Sequence, residues 1–301
     1  MGNAGARYLA ATLILPITAC MPYRNTEPEI HGHRGSRGLE PENTIPAFIK
    51  GAEEGCDWLE LDVVMTGDGH VLVSHEPWID HRICLDPKGD RIPADGDRQL
   101  NIFRMSLEEV QAYDCGTLKN PDFPDQQHEV LYKPTLAEVV EAVDDHTMAV
   151  GSNVGGYNIE IKSDPAWYGI YQPEPTDYAA QVLAEIEESG ITDRCMIQSF
   201  DPAILEAVHN TSPWVRLALL VDNADGLDAN LARLSFKPAV YSPHYTLADE
   251  KMVNDLWERD IELAVWTVND KDEIERIVKL GVDAVISDYP DRVRKVIDQL
   301  N

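Results

Sequence analysis

Short apolar runs alternate with helix-period patterns from residue 29 to the end of the chain, and no other feature narrows the fold as far. The runs Glu29–His33, Trp58–Met65, Val71–Ser74, Tyr157–Ile161, Cys195–Ser199, Arg216–Val221, Ala239–Ser242, Leu263–Val268 and Ala284–Ser287 read as strands. Thr44–Glu54, Leu136–Asp144, Tyr178–Glu188, Pro202–His209, Leu227–Leu234, Asp249–Arg259, Asp272–Leu280 and Asp291–Leu300 read as helices. Asp201-Pro202 places a capping acceptor before a proline that suits the first helical turn. Roughly eight strand–helix units predict an α/β fold, a (β/α)8 TIM barrel. A doubly wound open sheet is the alternative, but no GxGxxG loop follows any strand. The alternation breaks between Glu76 and Pro134, a stretch rich in Asp, Pro and Gly, which reads as a small insertion lobe over about 77–133.

With 301 residues and 44% hydrophobic composition, the chain has material for one large core. Its 53 acidic and 25 basic residues give a net charge of −28, which excludes sequence-independent nucleic-acid binding and disfavours adsorption to anionic lipid. Tyr8–Ala19 is mostly apolar, too short to span a bilayer and of signal-peptide length. It ends Ile17-Thr18-Ala19-Cys20, which resembles the bacterial lipoprotein box. The expected organisation is therefore a signal peptide over 1–19, lipidation at Cys20, a tether over 20–28 and a barrel over 29–301. That implies an exported, periplasmic or cell-surface protein whose membrane contact is its lipid anchor. Export would also allow a disulfide between Cys84 and Cys115, both in the irregular stretch, whereas Cys56 and Cys195 read as buried thiols.

Catalytic groups of such barrels come from the C-terminal ends of strands, and polar residues collect there. Glu60 and Asp62 lie two apart on one strand, as do Glu160 and Lys162 on another, so each pair shares a face about 6.5–7 Å apart. Three converging carboxylates, Glu60, Asp62 and Glu160, repel one another unless a cation lies between them, and an all-oxygen set suits one Ca²⁺ or Mg²⁺. His33 and His75 follow strands beside this cluster and are the candidate proton carriers. Arg34 and Lys162 add fixed positive charge for a phosphate. His31, two residues earlier than His33, is expected to pack inside the barrel.

His33-Arg34-Gly35, Pro41-Glu42-Asn43-Thr44, Glu60-Leu61-Asp62, Thr66-Gly67-Asp68-Gly69, His75, Glu160-Ile161-Lys162, Gln198-Ser199-Phe200, Val265-Trp266-Thr267-Val268-Asn269 and Ser287-Asp288-Tyr289-Pro290 together resemble the glycerophosphodiester phosphodiesterase family. The resemblance runs from about Ile30 to Pro290. It implies a barrel with a small insertion after the strand bearing the second histidine, and hydrolysis of a small-molecule glycerophosphodiester to sn-glycerol 3-phosphate and an alcohol. It also implies acid–base roles for His33 and His75, metal ligation by Glu60, Asp62 and Glu160, phosphate contacts from Arg34 and Lys162, and packing of Trp266 on the substrate. The family usually has Asp after the second histidine, where this chain has Glu76. Lysophospholipase D-type cleavage of lysophospholipids is the alternative activity, and a non-catalytic binding lipoprotein the alternative class.

Overall fold

A computed structural model describes Met1 and residues 27–300. The expected signal segment from Gly2 onward, the lipidation site Cys20 and the tether up to Thr26 lie outside the described residues. The elements in chain order are β1 (Glu29–Gly32), α1 (Ile45–Glu53), β2 (Trp58–Met65), β3 (Val71–Val73), α2 (Leu107–Gln111), α3 (Leu136–Val150), β4 (Gly156–Ile161), α4 (Pro175–Glu188), β5 (Cys195–Ser199), α5 (Pro202–Thr211), β6 (Arg216–Val221), α6 (Leu227–Leu231), β7 (Val240–Pro243), α7 (Glu250–Glu258), β8 (Glu262–Val265), α8 (Lys271–Leu280), β9 (Ala284–Ser287) and α9 (Pro290–Leu300). Every strand except β3 joins a parallel ring that closes where β1 pairs with both β9 and β2, giving the (β/α)8 barrel.

Strand alternation sorts the side chains. Leu59, Leu61 and Val63 belong to the large cluster packed between barrel and helices, as do Tyr157, Ile159 and Ile161. Met196, Ala218, Val240, Ala264, Ala284 and Ile286 form a second, smaller cluster in the barrel interior. On the β1–β2–β4–β5 side the interior is polar: His31 is buried, and the amide of Asn158 lies 3.3 Å from its Nδ1 and 3.2 Å from Gln198 Oε1. The helices begin on side-chain caps. Thr135 and Glu138 form a capping box at α3, Asp201 accepts from Ala203 N–H at α5, and Asp270 accepts from Asp272 and Glu273 N–H at α8.

One strand departs from expectation. β3 is not a barrel stave: it folds back antiparallel on β2, with Val63 opposite Val73 and Met65 opposite Val71. Thr66-Gly67-Asp68-Gly69 makes the reversal, with Thr66 Oγ1 bonded to Asp68 and accepting from His70 N–H. The insertion that follows has its own apolar cluster, built from Ile79, Ile92, Ile102 and Val110 on Val64 and Leu72. Cys84 and Cys115 are joined by a disulfide within it, while Cys56 and Cys195 are free and buried. The helix α2, absent from the sequence reading, starts on a Ser106/Glu109 capping box.

The turn after β1 tolerates no side chain at Gly35. Its φ is +86°, its N–H reaches Glu60 O at 3.1 Å, and an added Cβ would stand 2.5 Å from the Ala47 carbonyl carbon. Gly35→Ala is expected to destabilise the fold by about 2–4 kcal/mol through positive φ and overpacking, read as a lowered thermal midpoint.

Candidate active site

The top of the barrel is organised around β2 and β4. Asp62 lies in register with Glu160, and Glu160 with Gln198 of β5, so these side chains share the inner face, with Glu60 one pleat below Asp62. Ligand atoms of Glu60, Asp62 and Glu160 lie within 4.8 Å of one another, and all three residues are buried. Two backbone positions brace them. Arg34 has φ +50° and donates its N–H to Glu60 Oε2 at 2.8 Å; Asn43 has φ +57° and its amide bonds Asp62 at 2.9 Å. Left-handed non-glycine residues carry strain, and here both touch the carboxylate cluster.

The cations distribute unevenly over these acids. Lys162 Nζ is 2.7 Å from Glu160 Oε1 and 3.7 Å from Asp62 Oδ1, and Arg34 Nε is 3.3 Å from Asp62 Oδ2. Burial opposes ionisation of Asp62, but His75, Arg34 and Lys162 outweigh it and hold its carboxyl far below the usual range. At Glu60 the Arg34 charge acts in the same direction but does not suffice. Burial, and then the charges of Asp62 and Glu160, push its pKa well above 4.5, despite hydrogen bonds from Arg34 N–H and from Gln198 Nε2 at 2.9 Å. Asp62 Oδ1 is buried without a hydrogen-bond donor among the described residues. A cluster short of positive charge, with an unsatisfied carboxylate oxygen aimed into it, fits a hard divalent cation.

The two histidines flank the acids. His33 Nδ1 lies 2.6 Å from Asp288 Oδ1, which directs Nε2 inward, 4.0 Å from Glu60 Oε2. Burial lowers the His33 pKa to about 4, although Asp288 pulls the other way. Asp288, just beyond β9, is itself gripped by Arg37 at 2.8 and 3.0 Å and by Asn269 at 2.6 Å. His75 was expected at a stave's end; instead the antiparallel return of β3 brings it back beside Asp62, with Ser74 N–H bonded to Asp62 O at 2.9 Å. Its Nδ1 is 2.9 Å from Glu76 Oε1, so the longer acid still reaches the ring. Arg34 NH1 is fixed by Glu42 at 2.7 Å. Trp266, half-buried after β8, donates Nε1–H to Ser242 O and meets Phe200 edge-to-face, ring centres 5.4 Å apart. Every residue singled out at the strand ends thus lies around one mouth, while His31 lies below it.

A model of the glycerophosphoryl diester phosphodiesterase family matches residues 33–292. The chain belongs to this family. It is 30% identical over 268 residues to a glycerophosphodiester phosphodiesterase of Caldanaerobacter subterraneus, covering 88% of this chain and 96% of the relative. A solved structure from Silicibacter pomeroyi that carries the family name superposes with a TM-score of 0.82 at 25% identity, over 92% of this chain and 95% of that one. An Oleispira antarctica phosphodiesterase, solved with the product sn-glycerol-3-phosphate, superposes at 0.71 with 24% identity over 90% and 97%, a likeness of fold.

In this member of the glycerophosphoryl diester phosphodiesterases, sequence reasoning left Asp288, Arg37, Asn269, Asn43, Glu42 and Gln198 without roles. Asp288 follows the final stave, so the strand-end rule that selected His33 applied to it equally. Arg37 and Glu42 lie on the loop after β1, where spacing carries no such signal.

Proposed function

We propose that the protein hydrolyses glycerophosphodiesters to sn-glycerol 3-phosphate and an alcohol, with one divalent cation, Ca²⁺ or Mg²⁺, held by Glu60, Asp62 and Glu160. The observation that carries this reading is the buried acid trio, short of positive charge and flanked by two histidines whose Nδ1 atoms are each tied to a carboxylate. When bound, the cation supplies positive charge opposite a phosphate oxygen and acidifies the attacking hydroxyl. Arg34 and Lys162 orient the phosphate. Asp288 accepts from Nδ1–H of His33, which leaves Nε2 as the proton acceptor, and a pKa of about 4 keeps that ring neutral at working pH. His75, on the other flank, delivers a proton to the departing alkoxide oxygen.

For the N-terminal segment the same reading includes export and lipidation at Cys20. Glu27 is tied to Arg294 at 3.6 Å, and β1 starts at the barrel face opposite the mouth. Seven residue steps separate Cys20 from Glu27, a reach of about 25 Å at most. A globule of this length is roughly 45 Å across. A tether that short cannot turn the mouth onto the anchoring bilayer, which favours soluble glycerophosphodiesters over that membrane's lysophospholipids.

The test uses protein lacking residues 1–20 with glycerophosphocholine, EDTA, and Ca²⁺ or Mg²⁺ added back, following glycerol 3-phosphate. Release that EDTA stops and a cation restores is expected. Release indifferent to EDTA would dismiss the cation, and no release from folded protein would dismiss the substrate class.

A further inference from the structure

Lys133 is a buried cation that the reaction above leaves unused. It closes the insertion: Leu72 bridges Thr135 antiparallel and Val73 N–H reaches Pro134 O at 2.8 Å, so Lys133 comes opposite Ser74, next to His75. It is only 4% exposed. Among the described residues its ammonium makes no ion pair within 4.0 Å and no hydrogen bond. The acids whose fields reach it, Glu42, Asp80 and Glu76, are committed elsewhere: Glu42 to Arg34 at 2.7 Å, Asp80 to Arg82 at 2.9 Å, Glu76 to His75 at 2.9 Å. Its Nζ is not one of the buried polar atoms left without a partner, so the exposed remainder of the side chain includes the ammonium, whose donors face water and are free to meet acceptors that arrive with a ligand.

The mouth has two unlike walls. Phe200, Trp266 and His244, beyond β5, β8 and β7, make an aromatic wall, with His244 and Trp266 ring centres 5.3 Å apart. Across the barrel, on the β2 side, the wall is polar: Glu42, His75, Glu76 and Lys133. The two ester arms of a phosphodiester diverge from the phosphorus, so one arm meets each wall.

We infer that Lys133 contacts the departing alcohol on the β2 side and selects head groups that present hydroxyl or anionic oxygens over the quaternary ammonium of choline. This rests on the phosphodiesterase activity proposed above. A hydroxyl or acidic oxygen accepts from the ammonium, whereas a quaternary ammonium brings a like charge and no acceptor.

The experiment compares kcat/KM on glycerophosphoglycerol and glycerophosphocholine, with the same cation, for wild type, Lys133→Met and Lys133→Gln. Wild type is expected to prefer glycerophosphoglycerol. That ratio should fall about tenfold or more in Lys133→Met, as loss of a charge-assisted hydrogen bond implies, and by an intermediate factor in Lys133→Gln, which keeps a donor without the charge. Should Lys133→Met fail to fold, Lys133→Gln carries the comparison. Cleavage of both diesters with a ratio unchanged within threefold overturns this inference alone, as does an equal loss on both. Cleavage of neither by folded wild type overturns the activity and the inference with it.

Discussion

His33→Ala and His75→Ala are each expected to lower kcat by about 10²–10⁴-fold, the contribution of a positioned acid or base, while the protein stays folded. Folding should survive because neither ring is the sole support of its neighbours. Without His33, Asp288 keeps Arg37 at 2.8 and 3.0 Å and Asn269 at 2.6 Å. His75 is part-exposed and, among the described residues, its ring bonds Glu76 through Nδ1. A pH series separates the two. The folded pKa of His33, about 4, lies below its ordinary 6.5, so the folded state binds fewer protons between these values. Its contribution to stability is therefore present above about pH 6.5 and is lost as pH falls toward 4. Measured against His33→Ala, metal-free wild type should lose thermal stability as pH falls through that window. The acid limb of kcat/KM should lie near pH 4 in wild type. Turnover within threefold of wild type in both variants, with far-ultraviolet circular dichroism unchanged, would remove the histidines from the chemistry.

The barrel was legible because strand period 2 and helix period 3.6 alternate from residue 29 onward on both sides of the 77–133 insertion, and Leu59, Leu61 and Val63 alternate cleanly with Trp58, Glu60 and Asp62. The same periodicity could not tell a stave from the short return strand β3, since Val71-Leu72-Val73 is apolar either way; only pairing to Val63–Met65 decides it. The carboxylate trio was legible from i, i+2 spacing on two strands. The support of those acids was not. Arg34 and Asn43 touch Glu60 and Asp62 through left-handed backbone in a loop, and Arg37 reaches Asp288 across 251 residues of sequence, which no local pattern encodes. Lys133 illustrates the limit further: its sequence neighbours read as the end of an irregular stretch, and its burial becomes visible only once β3 turns back beneath it.

Glu60→Gln is expected to lower kcat/KM by about 10³-fold or more and at the same time to stabilise the metal-free protein at neutral pH. The loss follows from removing one anionic ligand of a cation whose electrostatic contribution is several kcal/mol. The gain follows from the sign of the Glu60 shift. Burial and the neighbouring Asp62 and Glu160 raise its pKa well above 4.5, so the folded state holds this proton more tightly than the unfolded chain does. Its contribution is complete below about pH 4.5 and is lost as pH rises through the raised value. With EDTA present, the wild-type midpoint should therefore fall relative to that of Glu60→Gln as pH climbs from that range into the neutral region. Ca²⁺ or Mg²⁺ should reverse the fall, because an ion that binds only the folded protein stabilises it by mass action. In Glu60→Gln the carboxamide keeps an acceptor for Arg34 N–H, 2.8 Å away in the parent, and carries no charge to repel its neighbours. Its midpoint in EDTA should be higher than wild type at neutral pH, closer to wild type in acid, and little moved by added cation. Equal midpoints in EDTA across the series, or the same cation-induced rise in both proteins, would show that Glu60 neither strains the empty site nor holds the ion.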